Sequence, residues 1–179
     1  MAESEDTYLI KTDRLNLRPI RKSDLEFIYM GLSDPKVNMF YGIKLESITE
    51  AHEQLQWYQN LLDENSGIWW KLTHNETGLS IGACGYNNWD HSENTAEIGL
   101  WLLPEYWGKG LMKEAAEAGI KHGFEKMGLE RIIAEVETEN ASSISLLKNL
   151  GFTKYPDKTF SDVKGDKLIS VEVYELTRN

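Results

Sequence analysis

The sequence predicts an α/β fold in which one mixed sheet is flanked by helices, in the order β-α-α-β-β-β-α-β-α-β-β. Three observations carry this. Short apolar alternations recur along the chain, as half-buried strands require. Capped segments of helical periodicity separate some of them, which calls for parallel crossovers. Elsewhere only a turn intervenes, so antiparallel hairpins share the same sheet.

Taken in order, Arg14-Leu15-Asn16-Leu17-Arg18 alternates polar and apolar and reads as the first strand. Ser23-Asp24-Leu25-Glu26 has the spacing of a capping box and opens a helix towards Gly31, and Ser33-Asp34-Pro35 interrupts the pattern. A second box, Ser47-Ile48-Thr49-Glu50, opens a helix through Leu55 to Leu62, which Asn65-Ser66-Gly67 ends. Ile68 to Leu72 and Leu79 to Tyr86 are strands joined by the turn Asn75-Glu76-Thr77-Gly78, and Gly82 and Gly85 suggest a bulge or a close backbone approach. Thr95 to Leu103 is the next strand, stopped by Pro104. Gly108-Lys109-Gly110 then precedes a helix from Leu111 to Met127 that ends at Gly128. Arg131 to Val136 is a short strand, and Ala141 to Leu150 is a helix closed by Gly151. Strands around Phe152 to Phe160 and Leu168 to Leu176 finish the chain.

Composition narrows the function. The 179 residues suit a single domain, assigned to 8–177, after an acidic leader at 1–7. At 41% hydrophobic and 27% charged, the chain can bury a core without disulfides or metal. The single Cys84 forms no internal disulfide and excludes a cysteine-rich zinc site, which fits a reducing, cytoplasmic setting. The acidic N-terminus lacks the basic region and apolar core of a signal peptide, and no apolar run approaches membrane-span length. The 29 acidic and 19 basic residues give a net charge of −10, which opposes nucleic-acid binding and attracts cationic partners such as amines. His52, His74, His91 and His122 show no metal-ligand spacing, so no metal is expected.

The most informative stretch is Glu97-Ile98-Gly99-Leu100-Trp101-Leu102-Leu103-Pro104-Glu105-Tyr106-Trp107-Gly108-Lys109-Gly110-Leu111-Met112. A strand leads through a glycine loop into a helix, whose free N–H groups and macrodipole suit a phosphate. Such a loop is also often only a turn. No Gly-Lys-Ser/Thr follows, so it is not a P-loop; the third glycine of a dinucleotide fingerprint is missing too. The second stretch, Asn140 to Phe152, reads as a capped helix after the next strand.

With these two segments in this order, the chain resembles the GNAT superfamily of acyl-CoA-dependent N-acetyltransferases. Within it, the chain resembles the RimJ/RimL branch, which acetylates protein N-termini. The strongest pieces are Glu97-Ile98-Gly99, Trp107-Gly108-Lys109-Gly110-Leu111-Met112-Lys113-Glu114-Ala115, and Asn140-x-x-Ser143 through Gly151-Phe152, supported by Thr12 to Pro19. The resemblance spans nearly the whole chain and implies acetyl-CoA as cosubstrate. It implies that N–H groups of Gly108, Lys109, Gly110, Leu111, Met112 and Lys113 hold the pyrophosphate. The backbone of Leu100, Trp101 and Leu102 would pair with the pantetheine arm, and Asn140 would bond it from the other side. Trp107 and Met112 depart from the superfamily's Gln/Arg and small residue.

For the chemistry, the resemblance points to three side chains. Glu97 is the first candidate for the base, with a solvated or hydrogen-bonded structural Glu the alternative, and Glu135 is the second, with an exposed face residue of its strand the alternative. Many superfamily members protonate the leaving thiolate with a Tyr seven residues after the Asn, but that position is Leu147 here, so Ser143 takes the role. Trp57, Tyr58, Trp69, Trp70, Asn87, Asn88 and Trp89 are candidates for the acceptor pocket, with core packing the alternative for each Trp. A protein α-amino group titrates at about 7.7–8.0 and needs only a weak base, whereas a Lys-type amine near 10.4 needs roughly 4 kcal/mol more help. The expected acceptor is therefore a protein N-terminal amine. A small amine (polyamine, aminoglycoside or amino acid), a non-catalytic acyl-CoA-binding module and a nucleotide-binding interaction protein are the alternatives. The sequence is compatible with a monomer or a homodimer.

Overall fold

The computed structural model describes residues 8–178. The leader assigned to residues 1–7 lies outside them. The strands are β1 (Ile10–Lys11), β2 (Leu15–Pro19), β3 (Ile68–His74), β4 (Ser80–Asp90), β5 (Thr95–Leu102), β6 (Arg131–Glu137), β7 (Thr153–Lys164) and β8 (Lys167–Thr177). The helices are α1 (Leu25–Ser33), α2 (Ile48–Asp63), α3 (Leu111–Glu125) and α4 (Ala141–Asn149). Apart from the two-residue β1, this is the expected order and the expected fold class.

The described strands form one eight-stranded sheet in the order β1-β2-β3-β4-β5-β6-β8-β7. Every neighbouring pair is antiparallel except β5 and β6, which the α3 crossover makes parallel. The β7–β8 hairpin folds back so that β8 lies between β6 and β7. Helices cover both faces. Leu111, Met112, Ala115 and Leu147 of α3 and α4 pack on Leu17, Trp70, Tyr86, Ile98 and Ile132 on one side. On the other, Ile28 and Leu32 of α1 and Ala51, Leu55, Tyr58 and Leu61 of α2 pack on Trp69, Ala83 and Trp101. The α2 positions recur at helical spacing, and each buried Leu contributes about 1.5–3 kcal/mol.

Local signals account for most boundaries. Ser47 Oγ accepts from the Glu50 N–H at 3.2 Å, while the Glu50 carboxylate reaches back to the Glu46 N–H at 2.6 Å, one residue before the expected partner. Helix α4 ends in a Schellman motif: the Phe152 N–H donates to the Leu147 carbonyl and the Gly151 N–H to that of Lys148, with Gly151 at φ 90°. At Gly85 a Cβ would lie 2.3 Å from the Ile68 carbonyl, so the expected close approach is real. Bulges fall on either side of it, where β4 shifts register opposite Leu72/Thr73 and between Asn87 and Asp90.

Two readings need correction. The Ser23–Glu26 capping box does not form. A 3-10 turn covers Lys22–Asp24, and α1 begins at Leu25 without a side-chain cap. The Asp24 carboxylate is engaged elsewhere: it takes both Arg18 Nη atoms at 2.7 and 2.8 Å, Lys71 Nζ at 2.8 Å and the Arg21 N–H at 2.8 Å. The last hairpin is also longer than expected, because β7 and β8 continue to a Gly165-Asp166 turn with Gly165 at φ 60°.

Among the described residues, no helix is long and apolar enough to cross a membrane.

Candidate functional site

The parallel joint is incomplete. Residue pairs join β5 to β6 only at Thr95–Arg131, Ala96–Ile132 and Glu97–Ile133, although β5 runs on to Leu102 and β6 to Glu137. Beyond Glu97 the strands part and leave a backbone edge with no strand beside it. The Leu103 N–H donates to the Ile81 carbonyl at 2.8 Å, so the odd residues of this stretch direct their backbone groups to β4. Leu100 and Leu102 therefore face the opening. Trp101 turns its backbone to β4 and buries its indole beside Phe27, ring centroids 5.3 Å apart. Trp107 closes the far end, its indole N–H donating to the Leu102 carbonyl at 2.7 Å.

At that end α3 begins. Gly108 and Gly110 have φ of 71° and 72°, a left-handed geometry that favours glycine. Gly110 is the N-cap and has no side chain to offer, and the first helical bond runs from the Glu114 N–H to the Gly110 carbonyl. The N–H groups of Leu111, Met112 and Lys113 thus converge on an uncapped helix start, which fits an anionic group. Lys109 lies over the Tyr106 ring at 5.4 Å, and Lys113 pairs with Glu117 at 3.5 Å. Met112 is turned into the core, so its size does not obstruct the loop.

Sequence reasoning missed the clasp beneath this loop. Arg14 Nε bonds Glu114 Oε2 at 2.6 Å, Arg14 Nη1 donates to the Lys109 carbonyl at 2.9 Å, and Thr12 Oγ1 and the Arg14 N–H both donate to Glu114 Oε1. One guanidinium from the bend just before β2 thereby holds both the loop and the first turn of α3. The Thr12-to-Pro19 segment drew attention for its strand alternation and its resemblance, neither of which points to Glu114.

Beyond the end of β6, Asn140 caps α4. Its Oδ1 accepts from the Ser143 N–H at 3.1 Å and from Ser142 Oγ at 2.9 Å. The Asn140 amide and the Ser143 hydroxyl have no hydrogen-bond partner among the described residues, so both remain able to donate. Leu147 is buried and contributes packing.

Glu97 and Glu135 project from the same face of the sheet, since Glu97 is registered with Ile133 and Glu135 lies two residues on. Strand spacing puts their Cα atoms at least roughly 8 Å apart. Glu97 accepts from the Asn87 and Asn88 amides at 3.2 and 2.8 Å, and the bulge puts Asn88 at φ 53°. Partial loss of water, then the negative charges of Glu97 and Asp162, push the Glu135 carboxyl above the usual carboxylate range, with Lys158 opposing. Tyr41, from the α1–α2 segment, has its hydroxyl pushed up by burial, by Tyr58 and by Glu97.

Glu135 opens onto a groove of about 420 Å³, lined also by Arg131, Ile133, Tyr155, Lys158 and Phe160. At the hairpin tip Lys164 Nζ bonds the Met39 carbonyl at 2.6 Å and Glu137 Oε1 at 2.5 Å, tying β7 to the α1–α2 segment.

The expected pocket residues divide. Tyr58 and Trp69 lie in the α1/α2 core with Trp57 packed against them, and Asn87 and Asn88 hold Glu97. Trp70 and Trp89 belong to the α3/α4 core. Burial pushes the Cys84 thiol up to about 12, which makes it a core residue rather than a nucleophile. Among the described residues no group of three His, Cys, Asp or Glu side chains could hold a metal ion.

Residues 14–153 match the family described as acetyltransferase (GNAT) domain. The chain is 36% identical over 147 residues to the uncharacterized N-acetyltransferase YoaA of Bacillus subtilis (strain 168), covering 82% of this chain and 83% of that protein. Its fold superimposes with a TM-score of 0.86 on an acetyl transferase from Salmonella typhimurium that modifies the N-terminal serine of ribosomal protein L7/L12, at 16% identity over 96% of this chain and 99% of the other. A TM-score of 0.82 relates it to spermidine N-acetyltransferase from Vibrio cholerae in complex with CoA and spermine, at 19% identity over 93% and 96%. The chain belongs to the GNAT acetyltransferase family.

Proposed function

We propose that this GNAT acetyltransferase transfers the acetyl group of acetyl-CoA to a primary amine, and that the amine is the α-amino group of a protein or peptide N-terminus. The observation that carries the reading is the opening between β5 and β6. Its backbone edge, the uncapped start of α3 and two carboxylates meet there. Backbone groups of Leu100 and Leu102 hold the pantetheine arm as an added strand, with Trp101 fixing the strand from the core. N–H groups from Gly108 through Lys109, Gly110, Leu111 and Met112 to Lys113 hold the pyrophosphate, and Asn140 bonds the arm with its free amide.

The thioester supplies an activated acyl carbon and a thiolate leaving group. Glu97, oriented by Asn87 and Asn88, attracts the acceptor ammonium and takes its proton directly or through water. The neutral amine then forms the C–N bond as the C–S bond breaks. Ser143 donates a hydrogen bond or proton to the departing sulfur. Glu135 adds negative potential at the mouth, where partial burial and the neighbouring carboxylates raise its pKa.

An α-amino group suits this equipment because it needs only a weak base. The groove supports the same choice, since Arg131 and Lys158 in its lining repel a polycation. The negative charges of Glu97, Glu135 and Asp162 favour the second reading, a small amine.

The test is thiol release from acetyl-CoA with peptides bearing free Ala, Ser or Met N-termini, their N-blocked Lys-containing counterparts, spermidine and an aminoglycoside. Turnover confined to free N-termini is expected. Turnover on spermidine or the aminoglycoside alone overturns the N-terminal assignment. Ser143→Ala is expected to lower kcat with little change in acetyl-CoA affinity, and an unchanged kcat removes Ser143 from the chemistry.

A further inference from the structure

We infer that Arg131 is the specificity anchor of the acceptor groove, binding a carboxylate of the acceptor peptide three or four residues from the reacting amine. The inference rests on the reading above, in which the amine sits at the Glu97/Glu135 end.

Arg131, Ile133 and Glu135 alternate along β6, so all three face the groove that they line. Glu135 lies four strand steps from Arg131, a span of about 13 Å, which matches about four residues of an extended peptide. The groove thus carries Glu135 at the cleft end and Arg131 away from it. Tyr155 and Phe160 of β7 also line it, Phe160 level with Glu137 through Val171, and Lys158 lies over the Tyr155 ring at 4.5 Å.

Arg131 is unusual in this molecule. Arg14, Arg18 and Arg178 each carry an ion pair. Arg131 carries none among the described residues, and its Nε is shielded from solvent without a hydrogen-bond partner. Its registered neighbours on the flanking strands are Thr95 and Thr177, and the nearest same-face acids there, Glu97 and Glu175, are registered with Ile133 two residues on and form no ion pair with it among the described residues. In a chain of net charge −10, an arginine left without a carboxylate beside a groove calls for one from outside. A guanidinium presents its donors as a planar fork, which suits the two oxygens of a carboxylate. The occupant is thus an acidic N-terminal segment bound extended, its amine at Glu97 and its Asp or Glu at Arg131.

The experiment uses hexapeptides with a free N-terminus that differ only at positions 3 and 4, carrying Asp/Glu, Ala or Lys. With the wild-type protein, kcat/KM is expected to be at least tenfold higher for the acidic peptides than for the Lys peptides. Arg131→Ala is expected to bring the acidic peptides down to the level of the neutral ones, Arg131→Lys to restore part of the preference, and Arg131→Glu to reverse it. Acetyl-CoA affinity and melting temperature are measured on each variant, and the wild-type peptide series stands even if a variant fails to fold. Equal turnover of all peptides by the wild type, or an acidic preference that survives Arg131→Ala, overturns the role of Arg131 and leaves the N-terminal reading intact. Turnover of spermidine with none of any peptide overturns both.

Discussion

Replacing Arg14 by Ala removes the clasp on the glycine loop without touching the loop itself. Two interactions are lost, the Nε–Glu114 ion pair at 2.6 Å and the Nη1 bond to the Lys109 carbonyl at 2.9 Å. The Arg14 side chain is 45% exposed, so the ion pair belongs in the surface range of about 0–1 kcal/mol. The bond to the carbonyl adds about 0.5–1.5 kcal/mol. Together they amount to about 1–2 kcal/mol, or about 5- to 30-fold in an equilibrium constant. Glu114 keeps Thr12 and the N–H of residue 14, so α3 stays docked and the loss falls on the order of the loop. The assay compares acetyl-CoA with S-acetyl-pantetheine, which lacks the pyrophosphate and nucleotide. KM for acetyl-CoA should rise about 5- to 30-fold at unchanged kcat, while kinetics with the short donor stay as they were. Equal losses with both donors, or none with either, would refute the assignment of the clasp to pyrophosphate binding. Arg14→Lys should fall between the two, since an ammonium can meet Glu114 but cannot fork to Lys109.

Three further outcomes follow from the electrostatics. Asp24→Asn leaves Arg18 and Lys71 without their buried counter-charge and should cost about 3–5 kcal/mol in urea unfolding. Burial opposes ionisation of Asp24, but the bonds from Arg18, Lys71 and the Arg21 N–H prevail and hold its pKa below 3.8. Its contribution is therefore present above that value and lost as pH falls through the lowered one, and Asp24→Asn should abolish this acid-side slope. His122 is held below 6.5 by burial and by Lys126, so the folded state resists its protonation. Stability from it is complete above 6.5 and declines as pH falls below that value, so the urea midpoint should drop between pH 7.5 and 5.5, and by less in His122→Gln. In Glu97→Gln, the Glu135 carboxyl followed by carbon NMR should titrate lower than in the wild type, because one of the charges that raise it is gone. An unmoved titration would show that the two carboxylates do not sense each other.

What could be read from the sequence was mostly what acts over a few residues. Ser47 with Glu50, Asn140 with Ser143, Lys148 with Gly151 and Leu147 with Phe152 are partners within one or two helical turns, and spacing alone exposes them. The Ser23 and Glu26 spacing deceived for the same reason. It suggested a box, but the chain takes a 3-10 turn at Lys22–Asp24, where the Asp24 carboxylate meets Lys71, 47 positions away. Arg14 and Glu114 stand 100 positions apart and meet only because β2 begins beside the start of α3. Arg131 looked like an ordinary first residue of a strand. Only the paired sheet reveals that the residues registered with it are Thr95 and Thr177 rather than acids. The Gly165-Asp166 turn was legible in principle, as Gly-Asp is a two-residue hairpin signal. The polar residues around it drew attention away from strand.

The three residue pairs between β5 and β6 also have a mechanical meaning. They form a seam between two blocks, β1 to β5 with the first two helices and β6 to β8 with α4, and α3 spans the join. Such a seam is the place where a sheet yields first under strain, because few rungs share the load. A molecule lying along the open part of the seam supplies the rungs the chain leaves out. It would turn a hinge into a splint, so that the protein becomes stiffest while its substrate is in place and loosens again as product departs.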